Sequence, residues 1–193
     1  MSYMRVVFLL LAVLFALTMV SVAQQPVPAF AIDNSFVQKQ FGGTCTLMPG
    51  LPASRGDLNG DGIEDLVIAA RCTNPLMDAD EHSFTVIDPY FAFFGFGDPR
   101  LSSEFVTDDP SRRGMVLLII HGDGPEAWRS SSPRGKFVVI DLPYKQVGIR
   151  KLSLKKKTMN AIYAEEAGAD QMTSVLFWDG KKYRYEPIGS SLD

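Results

Sequence analysis

Between Asp57 and Asp65 the chain reads Asp57-Leu58-Asn59-Gly60-Asp61-Gly62-Ile63-Glu64-Asp65, and side-chain oxygens recur at the first, third, fifth and ninth places. Hard dications such as Ca²⁺ take about six to eight oxygen ligands, and a loop offering an oxygen at every second residue can wrap one ion. Gly62 in sixth place permits the sharp turn that lets Ile63 present its main-chain carbonyl. The expected ligand set is Asp57, Asn59, Asp61 and Asp65 through their side chains and Ile63 through its carbonyl, with Ca²⁺ as the ion. Three carboxylates so close repel one another unless a dication offsets their charge, so the loop is expected to gain order on binding. Asp, Asn and Gly also build plain polar turns that bind nothing. The strict alternation of oxygens, with glycine in sixth place, favours the ion.

The elements that must position this loop follow from the apolar pattern. An EF-hand would need an acid in twelfth place, where Ile68 stands, and the sequence continues as a strand rather than a helix. From Asp65 onward, β-branched apolar runs at 66–72, 84–87, 115–120, 137–142, 147–154, 161–164 and 173–178 are each bounded by turn residues. They predict a mainly β fold, a compact antiparallel sheet domain. The runs at 115–120 and 137–140 are apolar without alternation, so both faces should be covered and both strands should lie centrally. Asp179-Gly180 predicts a two-residue hairpin turn between 174–178 and 181–185. One short N-terminal helix is expected over 35–41, capped by Asp33 or Asn34 and stopped at Gly42-Gly43.

The 193 residues carry Lys+Arg 19 against Asp+Glu 22, a net charge of −3, so no nucleic-acid partner is expected on charge grounds. Residues 1–23 read as a cleaved secretory signal: a basic start at Arg5, an apolar run, then Ser21-Val22-Ala23. Residues 24–193 are then a single β-rich domain, secreted or held in the periplasm or cell envelope. Its partner is expected to be a ligand outside the cytoplasm, and membrane contact follows only from an uncleaved leader. In an oxidising compartment Cys45 and Cys72 predict one disulfide, and they bracket the 57–65 loop. The basic residues at 150–151 and 155–157 read as a solvated strand edge. Phe91, Phe93, Phe94 and Phe96 suggest a packed loop, while Trp128 and Trp178 are candidates for packing or for carbohydrate stacking.

The segment Asp57-Leu-Asn-Gly-Asp-Gly-Ile-Glu-Asp-Leu-Val67 resembles the calcium loop of the FG-GAP/VCBS repeat family, whose members resemble the repeats of integrin α-subunits. The resemblance implies a loop joining two strands of a propeller-blade-like unit, with Asp57, Asn59, Asp61, Asp65 and Ile63 as Ca²⁺ ligands. It covers some 15 residues. Ala69-Ala70-Arg71 stands where Gly-Ala-Pro often closes the motif, and no second copy of the loop occurs. A closed propeller needs internal repeats, so the expectation is a β domain related to propeller blades that carries one such loop. The function implied is a calcium-binding, non-enzymatic binding or structural module. A rival lies in Leu117-Leu-Ile-Ile-His121-Gly122-Asp-Gly124, which resembles the oxyanion loop of α/β-hydrolases and implies an esterase using His121-Gly122. That fold's G-x-S-x-G elbow is missing, and no histidine follows His121.

Overall fold

The computed structural model describes residues 30–89, 109–142, 144–154, 157–166 and 173–188. From Ile32 onward these belong to one compact unit. The leader expected over 1–23, the aromatic stretch at 91–96 and Lys155-Lys156 lie outside the described residues. No helix among the described residues is long and apolar enough to cross a membrane. The early helix is α1, Asn34–Phe41. Asp33 caps it, its Oδ1 accepting from the Phe36 N–H at 2.9 Å, and Gly42 ends it at φ +92°. A second short helix, α2, spans Pro75–Asp78.

Ten strands among the described residues make two sheets, so the fold is mainly β. The first has the order β1 (Cys45–Leu47), β3 (Asp65–Cys72), β5 (Met115–His121), β6 (Gly135–Val139) and β4 (Thr85–Ile87). In it β2 (Ser54–Gly56) pairs with β3. The second is an antiparallel meander of β7 (Tyr144–Leu154), β8 (Lys157–Glu166), β9 (Thr173–Trp178) and β10 (Tyr183–Ile188). All seven residues of β5 are buried, and β3 is nearly so, because this sheet is covered on both faces. Alternate residues explain how. Leu66, Ile68, Val116, Leu118, Ile120 and Val138 pack with Phe36, Val37 and Phe41 of α1. Val67, Leu117, Ile119 and Val139 pack with Ile162, Leu176 and Tyr185 of the second sheet. Tyr144 ties the two together across this core, its hydroxyl donating to the Val116 carbonyl at 2.7 Å.

Three details differ from the sequence expectation. The pairing is not wholly antiparallel, since β4 runs parallel to β6. The last hairpin closes through four residues rather than two, because Trp178 pairs with Tyr183. Asp179 is the cause: its Oδ1 accepts from the Lys181 and Lys182 N–H groups at 2.9 and 3.0 Å, which winds the turn around the side chain. The strands β1 and β2, three residues each, were not expected at all. The disulfide is present, Cys45 to Cys72, between directly opposed residues of β1 and β3 whose Cα atoms lie 4.1 Å apart. That spacing matches a non-hydrogen-bonded antiparallel pair, and both N–H groups donate elsewhere, to the Gly42 and Gly114 carbonyls.

Candidate functional site

The 57–65 loop joins β2 to β3, whose ends meet at the Gly56–Asp65 pair. Asp65 is the pivot. It has no exposed surface, and its carboxylate accepts three main-chain N–H groups: Leu58 at 2.7 Å and Asn59 at 3.3 Å on Oδ2, Gly122 at 2.8 Å on Oδ1. Burial outweighs those donors and pushes its pKa up to about 6, with the Asp61 charge acting in the same direction. Asp57 gathers the front of the loop, its Oδ1 accepting from Gly60 at 2.7 Å and Asp61 at 3.1 Å, its Oδ2 from Gly62 at 2.9 Å. Asn59 and Asp61 are joined at 2.9 Å, Nδ2 to Oδ2, and Asp61 Oδ1 accepts from the Ile63 N–H at 2.8 Å. Gly60 and Gly62 hold φ of +80° and +83°, the left-handed region that glycine enters freely.

Residues far away in sequence fix this loop to the body of the domain. Leu58 is buried in the core between the sheets, and Asn160 of β8 donates its Nδ2 to the Asp57 carbonyl at 2.7 Å. Arg134 donates to Asp61 Oδ2 at 2.7 Å and to Asp123 Oδ1 at 3.3 Å. The connection after β5 closes the other side. It holds a 3-10 turn, Gly124–Arg129, that is broken at Ala127 with φ +55°. Within it Trp128 is fully buried, donating Nε1 to Glu64 Oε2 at 2.8 Å, with the Arg129 and Arg55 guanidinium groups 4.6 and 5.1 Å from its ring centre. Trp128 is therefore a prop behind the loop and offers no open stacking face.

The donor set bears on what the loop could hold. Its side chains offer oxygen alone, without His or Cys, which suits a hard cation such as Ca²⁺ rather than zinc. Asp57, Asn59, Asp61 and the Ile63 carbonyl lie on one turn closed by Asp65, so all five expected residues belong to one small structure. Among the described residues no three His, Cys, Asp or Glu side chains already stand as a ready-made metal cluster. Asp65 is turned inward to amides, and Asp61 is shared with Arg134. The set fits the ion in kind, and Asp61 would have to yield its arginine to take part.

The His121-Gly122 segment has a different place from the one its motif suggests. His121 is 2% exposed, its Nε2 lies 2.7 Å from the Tyr183 hydroxyl, and Phe137, Trp178 and Tyr183 wall it in with ring centres 5.0 to 5.6 Å away. Trp178 is thus a packing residue as well. Burial holds the imidazole pKa down at about 4, so at neutral pH it is uncharged. The Gly122 N–H, which an oxyanion loop would keep free, belongs to Asp65. Of the loop's supports, sequence reasoning missed Gly122, Arg134, Asn160 and Trp128. Only Leu58, an apolar residue inside a polar motif, carried a signal. Compared with protein-family models, curated proteins and solved structures, the chain matches none of them.

Proposed function

We propose that this chain is an exported calcium-binding β domain, similar to a single FG-GAP/VCBS-type unit, that serves as a non-enzymatic binding or structural module outside the cytoplasm. The observation that carries the reading is the combination at Asp65: a fully buried carboxylate closing a loop on which Asp57, Asn59 and Asp61 alternate. A dication would offset the charge that burial leaves costly there, and hard-oxygen donors are what the loop has to give. The Cys45–Cys72 disulfide supports an oxidising compartment and agrees with a cleaved leader over 1–23. Affinity of extracellular grade is expected, with Kd about 10⁻⁴ to 10⁻³ M.

The test is thermal unfolding in millimolar calcium and in EGTA, for the natural chain and for Asp61→Ala. Calcium should raise the Tm of the natural chain and leave the variant unmoved. Equal melting of the natural chain in both buffers removes the ion from its function.

A further inference from the structure

Among the described residues, Arg134 is the one charged side chain from outside the motif that forms an ion pair with an expected ligand, and its geometry gives it a task. Its root is fixed, since its own N–H donates to the His121 carbonyl at 3.0 Å. Its head spans two carboxylates, Asp61 Oδ2 at 2.7 Å from Nη1 and Asp123 Oδ1 at 3.3 Å from Nη2. Asp61 Oδ2 also accepts from Asn59 Nδ2, and Oδ1 from the Ile63 N–H, so three donors already occupy this carboxylate. A carboxylate offers about four lone-pair sites. An ion that takes Asp61 as a ligand therefore meets a guanidinium on the same oxygen, with the same sign of charge.

The two partners differ in freedom. The Asp61 side chain is 16% exposed and tied into the loop, whereas Arg134 and Asp123 are 51% and 50% exposed. Asp61 cannot leave the site, but the arginine can, and a second carboxylate already lies under its other nitrogen. We propose that Arg134 is a built-in competitor at the ion loop. Resting on the reading of 57–65 as a calcium loop, its guanidinium and Ca²⁺ contend for Asp61, and when the ion takes Asp61 the guanidinium passes to Asp123. Arg134 then lowers calcium affinity, and its release carries ion occupancy to the connection between β5 and β6.

Titration calorimetry with calcium chloride at low ionic strength tests this on the folded natural chain and on Arg134→Gln. The exposed pair should cost little on removal, so the variant is expected to melt within a few degrees of the natural chain in EGTA. It should bind calcium about two- to fivefold more tightly, the range for a half-exposed ion pair. In parallel, the Arg134 Nε–H resonance, identified by its loss in the variant, should shift with a midpoint at the calorimetric Kd. Equal or weaker binding by Arg134→Gln overturns the competition, as does an Arg134 resonance unmoved by saturating calcium, and both leave the calcium loop standing. Absence of binding in both proteins overturns the loop reading itself. Binding by the variant alone is the competition in its strongest form.

Discussion

Replacing Gly122 by alanine should be among the most damaging single-methyl additions in this protein. A Cβ on Gly122 would lie 2.5 Å from the Glu64 carbonyl oxygen, 2.7 Å from the Ala127 carbonyl carbon and 2.8 Å from the Trp128 nitrogen. All three are main-chain atoms of segments pinned on both sides, so no side chain can swing away to relieve them. Overpacking of this kind costs about 1–3 kcal/mol. The separation it forces would also break the 2.8 Å bond from the Gly122 N–H to Asp65. A hydrogen bond to a buried charged group is worth about 1.5–3 kcal/mol, for a combined loss of about 3–5 kcal/mol. Gly124, two residues on, is the control: its φ is +60°, but a Cβ there meets nothing within 4 Å. Alanine at Gly124 bears only the left-handed backbone penalty, about 1–2 kcal/mol. Urea unfolding of the two variants at pH 7 in EGTA measures both losses. If Gly122→Ala proves no costlier than Gly124→Ala, the loop and the turn after β5 are not in the contact described, and the role given to Asp65 fails with it.

Two further predictions concern the staple and the buried titratable groups. Removing the disulfide as Cys45→Ser with Cys72→Ser opens a closed loop with a sequence separation of 27 and should cost about 3.5 kcal/mol on the chain-entropy model; a loss under about 1 kcal/mol in urea would refute it. His121, at about 4 when folded against 6.5 ordinarily, binds fewer protons in the folded state, so its contribution is full above pH 6.5 and is lost as pH falls to 4, by about 3 kcal/mol. Asp65, raised from 3.8 to about 6, binds more protons when folded, and its contribution grows as pH falls through 6. The two oppose each other, so melts in EGTA should vary little between pH 6.5 and 4 in the natural chain. In His121→Phe the opposing histidine is gone, and the protein should melt higher at pH 4.5 than at pH 7; a profile that still falls toward acid would refute the assignment.

What was readable in the sequence and what was not divides along sequence distance. The unbroken apolar runs at 115–120 and 137–140 announced two central strands, β5 and β6, and Asp33 or Asn34 with Gly42 announced the ends of α1, where Asp33 proves to be the cap, because each signal is local. The Cys45–Cys72 bond was legible from a count of two cysteines in a chain read as exported. The strands β1 and β2 are too short to show a period, and they exist because β3 offers them an edge. The Asp179 turn misled because Asp-Gly favours a two-residue hairpin in isolation, whereas here the carboxylate also captures Arg184 Nε at 2.6 Å. At the loop, the five candidate ligands were visible from spacing, but their supports were not. Arg134 lies 73 residues from Asp61, Gly122 lies 57 from Asp65, and Asn160 lies 103 from Asp57. No local pattern encodes those meetings. The same distance explains His121-Gly122, whose four-residue motif says nothing of the carboxylate that claims the glycine N–H.

The placement of β3 decides how the loop and the disulfide combine. Asp65 begins this strand and Cys72 ends it, and between them lies the middle of the core. A loop whose closing residue is also the first core residue of a central strand cannot open by itself, so an ion bound there should register as stability of the whole domain. For a ligand bound only by the folded state the gain is RT ln(1 + [L]/Kd), about 1.4 kcal/mol at ten times Kd. In a domain of this size that is a rise of about 3–6 °C in Tm. The disulfide acts on the other side of the equilibrium, by restricting the unfolded chain. Effects on different states have no common contact through which to couple, so the calcium increment should be the same in the Cys45→Ser, Cys72→Ser protein as in the natural one, only from a lower baseline. A calcium increment that vanishes with the disulfide would mean that the bond holds the loop in shape within the folded state, and the division of labour along β3 would have to be redrawn.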